Sequence, residues 1–262
     1  MKKSLYIFFL SAFLMGALGV MAQDQSTTTV KKKKEKAKSF VEISGGISVP
    51  LGNFAKTNYS DLRSGFAAMG PQFSVSGVHY IGHNFGLGGT FSYAYYNLKN
   101  MQNVSNGYQH DFDVDSTNVQ YTRYTAVHIL VGPYYSIPLG IVTIDLRALA
   151  GVNCMTSPHI DVLLEDGGNS YTNGATAFSF WQNSSLSMAL AAQFGAGIRI
   201  TPAKHFSISV RADYFYSKPD FTITNDYRVA SVGRLITSYN QPFNGINASL
   251  GLVYEFGRKD SK

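Results

Sequence analysis

Seven charged side chains carry most of the chemistry open to this sequence: Glu42, Asp145, Arg147, Arg199, Arg211, Asp213 and Glu255. Each stands on the small, polar side of a stretch that alternates apolar and polar residues. Carboxylates and guanidiniums gathered in this way neutralise one another inside a closed structure, because an uncompensated buried charge is costly, or they line a path that selects ions. A structural plug is the expectation. His128 and Gln193 share that side, and His79 joins them if the chain bulges at Gly77. A second cluster lies in "HDFDVDS", where Asp111, Asp113 and Asp115 alternate and would fall on one side of an extended chain. Carboxylates at that spacing can hold a hard divalent cation. The stretch lacks the Gly and bidentate Glu of a calcium loop, so a solvated acidic loop is expected and no metal site. His205 and Ser207 place a base near a nucleophile, yet such pairs recur by chance. "GLGGT" at 86–90 precedes no helix, so its glycines speak for crowding rather than phosphate binding. Neither a cofactor nor an enzymatic activity is expected.

The elements that must position these residues are long strands. Period-two stretches recur at about 39–50, 67–81, 85–98, 122–137, 141–154, 184–201, 206–218 and 243–256, and no convincing helical period follows residue 39. Several approach or exceed the roughly 9 to 11 residues of a tilted transmembrane strand, where soluble strands usually have about 5 or 6. Connections alternate in length. "IGHN", "PLG" and "PAKH" are tight turns, whereas about 51–66, 99–121, 155–183 and 219–242 are long and polar. That alternation describes a closed antiparallel barrel with one short-turn rim and one long-loop rim. The long loops also carry "FSFW" at 178–181, including Trp181, and "YRVASVGRLITSY" at 227–239, which read either as strands extending beyond the membrane or as a contact surface.

The two faces decide which solvent surrounds such a barrel. In the sixth stretch Leu186, Met188, Leu190, Phe194, Ile198 and Ile200 oppose Ser187, Gln193, Gly195, Gly197 and Arg199. A soluble barrel would turn its apolar face inward. Here the polar face is mostly Gly, Ala, Ser, Thr, Asn and Gln, which suits a cramped interior. The apolar face carries no Lys, Arg, Asp or Glu in mid-strand; Arg123 and Lys218 share its parity only at the long-loop rim, where they can snorkel. Such a face fits lipid, with aromatic residues such as Phe85, Tyr95, Tyr135, Phe206, Tyr216, Tyr254 and Phe256 near the interfaces.

Composition agrees: 18 Phe and 17 Tyr accompany only 15% charged residues. "MKK" and the apolar run after it, ending in Val20-Met21-Ala22, read as a signal peptide over 1–22. Residues 23–38 form a Lys-rich tail, expected to be disordered and periplasmic; 39–257 form the barrel and 258–262 a short C-terminal tail. No Cys stands directly after the cleavage site at Ala22, which argues against a lipid anchor, and the lone Cys154 excludes an internal disulfide. Discounting the basic and acidic residues of the first two segments, 39–262 carries equal numbers of each, so the formal net charge of +6 does not point to nucleic acid.

With "FVEISGGISVPLGNFA" opening the barrel and "LGLVYEF" closing it, the chain resembles the small outer-membrane β-barrel proteins of Gram-negative bacteria, the OmpA/OmpX type. The resemblance covers 39–256 as a pattern rather than a residue-specific motif. It implies an all-β, eight-stranded antiparallel up-and-down barrel in the bacterial outer membrane, both termini periplasmic. It also implies that Leu250, Leu252, Tyr254 and Phe256 are read by the barrel assembly machinery, although "GRKDSK" follows the terminal aromatic, a departure from the pattern. Expected partners are outer-membrane lipid and lipopolysaccharide, whose phosphates a cation on the Asp cluster would bridge, and an extracellular ligand reached by the loops. Function is expected to be non-enzymatic, in envelope structure, adhesion or surface interaction; the alternative is a small porin-like channel. His205-Phe206-Ser207 resembles the His-x-Ser of lipid A deacylase barrels, but lies at the periplasmic rim of this topology, away from the outer leaflet where that chemistry belongs.

Overall fold

The computed structural model describes residues 37–61, 63–166, 169–170, 179–203, 205–227 and 235–256; the expected signal peptide, most of the Lys-rich tail and the C-terminal tail lie outside them. Eight strands close into one antiparallel barrel: β1 (Ser39–Pro50), β2 (Gly70–Tyr80), β3 (Phe85–Tyr96), β5 (Tyr124–Leu139), β6 (Val142–Thr156), β10 (Leu186–Ile200), β11 (Phe206–Ser217) and β14 (Phe243–Phe256). Their order round the wall is β1-β14-β11-β10-β6-β5-β3-β2. These bounds follow the alternating stretches of the sequence to within a few residues.

Register shows how the ring closes. Paired residues run Glu42–Ser76–Thr90–Leu130–Gly151–Ala191–Ser217–Phe243, from the short-turn part of β1 to the long-loop end of β14. One circuit therefore climbs most of the wall, the stagger that closing eight tilted strands requires. Closure leaves no unpaired strand edge, which hydrocarbon could not satisfy.

Side chains alternate across this wall without a slip. In β11 every odd residue from Ser207 to Ser217 is buried and every even one exposed. The exposed set is apolar: Leu190 is 84% and Leu252 71% accessible, and Met188, Phe194, Ile198, Val210 and Leu250 are exposed with them. Phe206 packs on Tyr254 and Tyr254 on Phe256 at the short-turn rim, while the Arg123 guanidinium lies 4.7 Å from the Tyr95 ring at the other. A barrel that turns its large apolar side chains outward and its charges inward is built for a hydrocarbon surround.

Two expectations fail. β2 has no bulge: its pairing with β1 and β3 is continuous through Gly77, so Val78 and Tyr80 face inward and His79 outward. The two apolar side chains fit because β3 presents Gly86 and Gly88 opposite them; a Cβ on Gly88 would stand 2.9 Å from Val78 and 2.7 Å from the Tyr134 ring. Helices also exist among the long connections, a single turn α1 (Gly52–Ala55) and the longer α2 (Gln102–Phe112).

Three long connections contain strands of their own. β4 (Ser116–Tyr121), β7 (Ile160–Asp166), β8 (Asn169–Ser170), β9 (Ser179–Gln182), β12 (Asp220–Tyr227) and β13 (Leu235–Asn240) make a second, six-stranded sheet in the order β13-β12-β9-β7-β4, with β8 on β7. Most of these strands prolong barrel strands beyond the rim. Of the two readings left open for the aromatic loop segments, extended strands are what the structure shows; residues 178 and 228–234 lie outside the described set. α2 packs on the sheet: Tyr108 and Phe112 meet Phe180 at ring distances of 5.4 and 5.0 Å, and the Ser105 hydroxyl donates to the Thr117 carbonyl at 3.1 Å.

Candidate functional site in the barrel lumen

All seven charged residues singled out in the sequence point into the lumen, in its short-turn half, and all seven pair. Arg147 and Asp213 meet in a two-pronged bond, Nε to Oδ1 at 2.7 Å and Nη2 to Oδ2 at 2.6 Å, a geometry only a planar guanidinium can make. Arg147 Nη1 adds contacts to the Thr90 hydroxyl at 3.3 Å and the Tyr134 hydroxyl at 3.2 Å. Arg211 lies 2.8 Å from Glu42, whose other oxygen accepts from Ser209 at 2.6 Å. Arg199 bridges Asp145 at 3.2 Å and Glu255 at 3.3 Å, with its guanidinium 4.3 Å from the Phe40 ring. Lys38, just before β1, reaches Glu255 at 3.4 Å and joins these seven charges at the mouth.

Room for these long side chains comes from glycine on the adjacent strands. A Cβ on Gly195 would run into the Asp213 carboxylate, and one on Gly251 into the Glu42 carboxylate and, at 2.6 Å, the Ser209 hydroxyl. Small wall residues thus set where charge can sit, which links composition directly to the network.

The long-loop half of the lumen is closed differently. Phe54, carried by α1 in the first long connection, is wholly buried, its ring 4.6 Å from Phe243, 5.1 Å from Tyr124 and 5.2 Å from Tyr96. Phe215 and Phe243 lie 5.2 Å apart, and His128 is 4.1 Å from Phe215. This aromatic layer escaped the sequence reading, because Phe54 lies in a loop where alternation assigns no face. Its signal was the apolar residue set among the Gly, Asn and Lys of "PLGNFAK".

The other candidates are dispersed. His128 and Gln193 are buried on the lumen side, as their parity required, whereas His79 faces outward. Asp111 falls in the last turn of α2, Asp113 is its left-handed cap and Asp115 lies beyond, so the extended row of carboxylates does not form. Asp111 instead accepts from the Tyr59 hydroxyl at 2.8 Å, and burial together with that acceptor raises the Tyr59 phenol above its ordinary range. Among the described residues no group of three or more His, Cys, Asp and Glu is arranged to hold a metal ion. Ser207 Oγ lies 2.8 Å from both the Glu255 carboxylate and the Thr201 hydroxyl, while His205 Nδ1 lies 3.1 Å from the Glu255 backbone carbonyl, so each is engaged with an atom of Glu255 rather than with the other. Leu250, Leu252, Tyr254 and Phe256 line the outer face of β14.

A closed ring of eight antiparallel strands, apolar outside and ion-paired inside, defines the class: the chain has the fold of the small outer-membrane β-barrels. No family model matches the sequence, and no curated protein does. Solved structures do. It is similar to Ail, the attachment invasion locus protein of Yersinia pestis, at 16% identity over 84% of this chain and 100% of that one, TM-score 0.41. It is similar to a major outer membrane protein of Thermus thermophilus at 15% identity over 84% and 100%, TM-score 0.45. OprG of Pseudomonas aeruginosa matches at 12% identity over 86% and 100%, TM-score 0.46.

Proposed function

We propose that this chain is a non-enzymatic surface protein of the bacterial outer membrane. Its closed barrel anchors an extramembrane sheet, and that sheet with its loops makes contacts in envelope structure or adhesion. One observation carries the reading: the lumen is filled at two levels, by matched ion pairs in the short-turn half and by the Phe54, Tyr96, Tyr124 and Phe243 rings in the long-loop half. A channel needs a continuous wet path, and selective charges within it must be free to meet ions. Here each lumen guanidinium is engaged by a carboxylate. In the orientation we propose, the short turns and both barrel ends face the periplasm and the second sheet faces outward. Arg123 on its Tyr95 shelf, together with Lys218, then reaches the phosphates of lipopolysaccharide at the outer rim. In the same reading the outer face of β14, Leu250 to Phe256, is what the barrel assembly machinery recognises. Planar-bilayer recording of the refolded protein tests the closed lumen. No steady current is expected; an ohmic conductance that changes on substitution of Arg147 or Arg211 would establish the channel instead.

A further inference from the structure

Between the two closures the lumen holds polar groups without partners. Gln72 on β2, His128 on β5, Asn153 on β6 and Gln193 on β10 are each buried to 95% or more, yet Gln72 Oε1 and Gln193 Nε2 have no hydrogen bond within the protein, and His128 has only the Asn153 amide beside it. They come from different walls and meet at one level. Asn153 is the cross-strand neighbour of His128; Phe215, against which the His128 ring packs, is the cross-strand neighbour of Gln193; and His128 pairs through Ser92 and Ser74 toward Gln72. Much of the wall around them is small: Ser48, Ser74, Ser92, Ala94, Gly151 and Ala191. Buried polar groups in folded proteins are almost always satisfied, by protein or by an enclosed guest.

We propose that the long-loop half of the lumen is a roofed chamber for small, uncharged, hydrogen-bonding guests, water or a solute such as urea, and that Phe54 is its door. The guest is uncharged because the lining at this level is neutral amide, hydroxyl and imidazole. The charges below it are already matched in Arg147–Asp213 and Arg211–Glu42, so an ion would sit uncompensated. The orphan set offers both an acceptor and a donor, which water and urea match and a hydrocarbon guest does not. Phe54 is the movable part of the roof. It rides on a strap bracketed by left-handed residues, Gly52 (φ 56) and Phe66 (φ 53), and held by backbone bonds from Gly65 N–H to the Asn53 carbonyl at 2.9 Å, from Ala67 N–H to the Phe54 carbonyl at 3.0 Å and from Phe66 N–H to the Lys56 carbonyl at 2.8 Å, which an opening would have to break. The other roof rings belong to barrel strands.

The proposal rests on the closed lumen argued above, and its test separates the two. Full-length protein in lipid nanodiscs, labelled with 15N-histidine and assigned by His128→Gln, is examined by water-edited NMR. Rapid magnetisation transfer from water to the His128 ring is expected; a dry ring in a non-conducting barrel would overturn the chamber and leave the closed lumen standing. Urea shifts the His128 signals if the chamber admits solutes, and no shift beside a wet ring shows that water is the guest. For the door, Gln193→Cys in a Cys154→Ser background is exposed to a small neutral thiol reagent. Labelling at least tenfold faster in Phe54→Ala than with Phe54 intact is expected. Equal rates in both would overturn the role of Phe54, and Phe54→Leu, which keeps an apolar plug of smaller size, gives an intermediate rate if the truncation fails to fold.

Discussion

Removing one partner of the deepest ion pair is the sharpest perturbation this architecture offers. In Asp213→Ala the Arg147 guanidinium keeps its place, with its side chain 4% exposed, but loses both charge-assisted bonds, at 2.7 and 2.6 Å. Only the Thr90 and Tyr134 hydroxyls remain, at 3.2 to 3.3 Å, and neither carries charge. Glu42 is no substitute, because it is held by Arg211 and Ser209. Stranding a buried charge costs about 3–5 kcal/mol, whereas replacing both partners by apolar side chains of similar volume is often neutral or stabilising by about 1–4 kcal/mol. The single variant is therefore expected to lose about 3–5 kcal/mol and Arg147→Met/Asp213→Leu to recover most of it. Reversible urea unfolding in lipid vesicles, followed by tryptophan emission and by gel mobility, reads both. A single-variant loss below about 1 kcal/mol, or a double variant as unstable as the single, would refute a buried, fully compensated ion-pair layer in the short-turn half.

Three further outcomes follow from the same geometry. Phe54→Ala removes the centre of the aromatic layer and is expected to cost about 3–5 kcal/mol by the same unfolding assay. Gly251→Val drives a side chain into the Glu42 carboxylate and the Ser209 hydroxyl, and overpacking of that kind costs about 1–3 kcal/mol; Leu250→Val, one residue away on the lipid face, is expected to cost less. Asp61 is held below the ordinary carboxylate range, first by the Arg63 amide and then by Lys56. Its contribution to the strap is therefore complete above the unfolded carboxylate pKa and is lost as the pH falls through the lowered one. Amide exchange at Arg63, compared with an Asp61→Asn variant, is expected to accelerate only in that acid window.

The barrel was largely legible in the sequence because its wall obeys one rule, lipid outside and crowding inside, at every second residue of β1, β3, β5, β6, β10, β11 and β14. The same parity put the seven charges on one face. Where that rule depends on a neighbour it misleads: Val78 and Tyr80 look lipid-facing in their own strand, and only Gly86 and Gly88 on β3 make the lumen wide enough to take them. α2 was hidden for another reason. Val104, Tyr108 and Phe112 stand four apart, but Gly107 and the surrounding amides weaken the helical signal, and the turn at Gly107 is held by the Tyr59 ring from the preceding long connection. Phe54 likewise reveals its role only through residues from three distant strands.

The outward face of β10 gives the most direct measurement. Spin labels placed singly at Met188, Leu190, Ala191 and Phe194 in vesicle-reconstituted protein report collisions with oxygen, which concentrates in hydrocarbon, and with a water-soluble nickel chelate. Met188, Leu190 and Phe194 are expected to collide freely with oxygen and hardly with nickel, while Ala191 is shielded from both. Ready access of nickel to Leu190 would contradict a barrel standing in lipid.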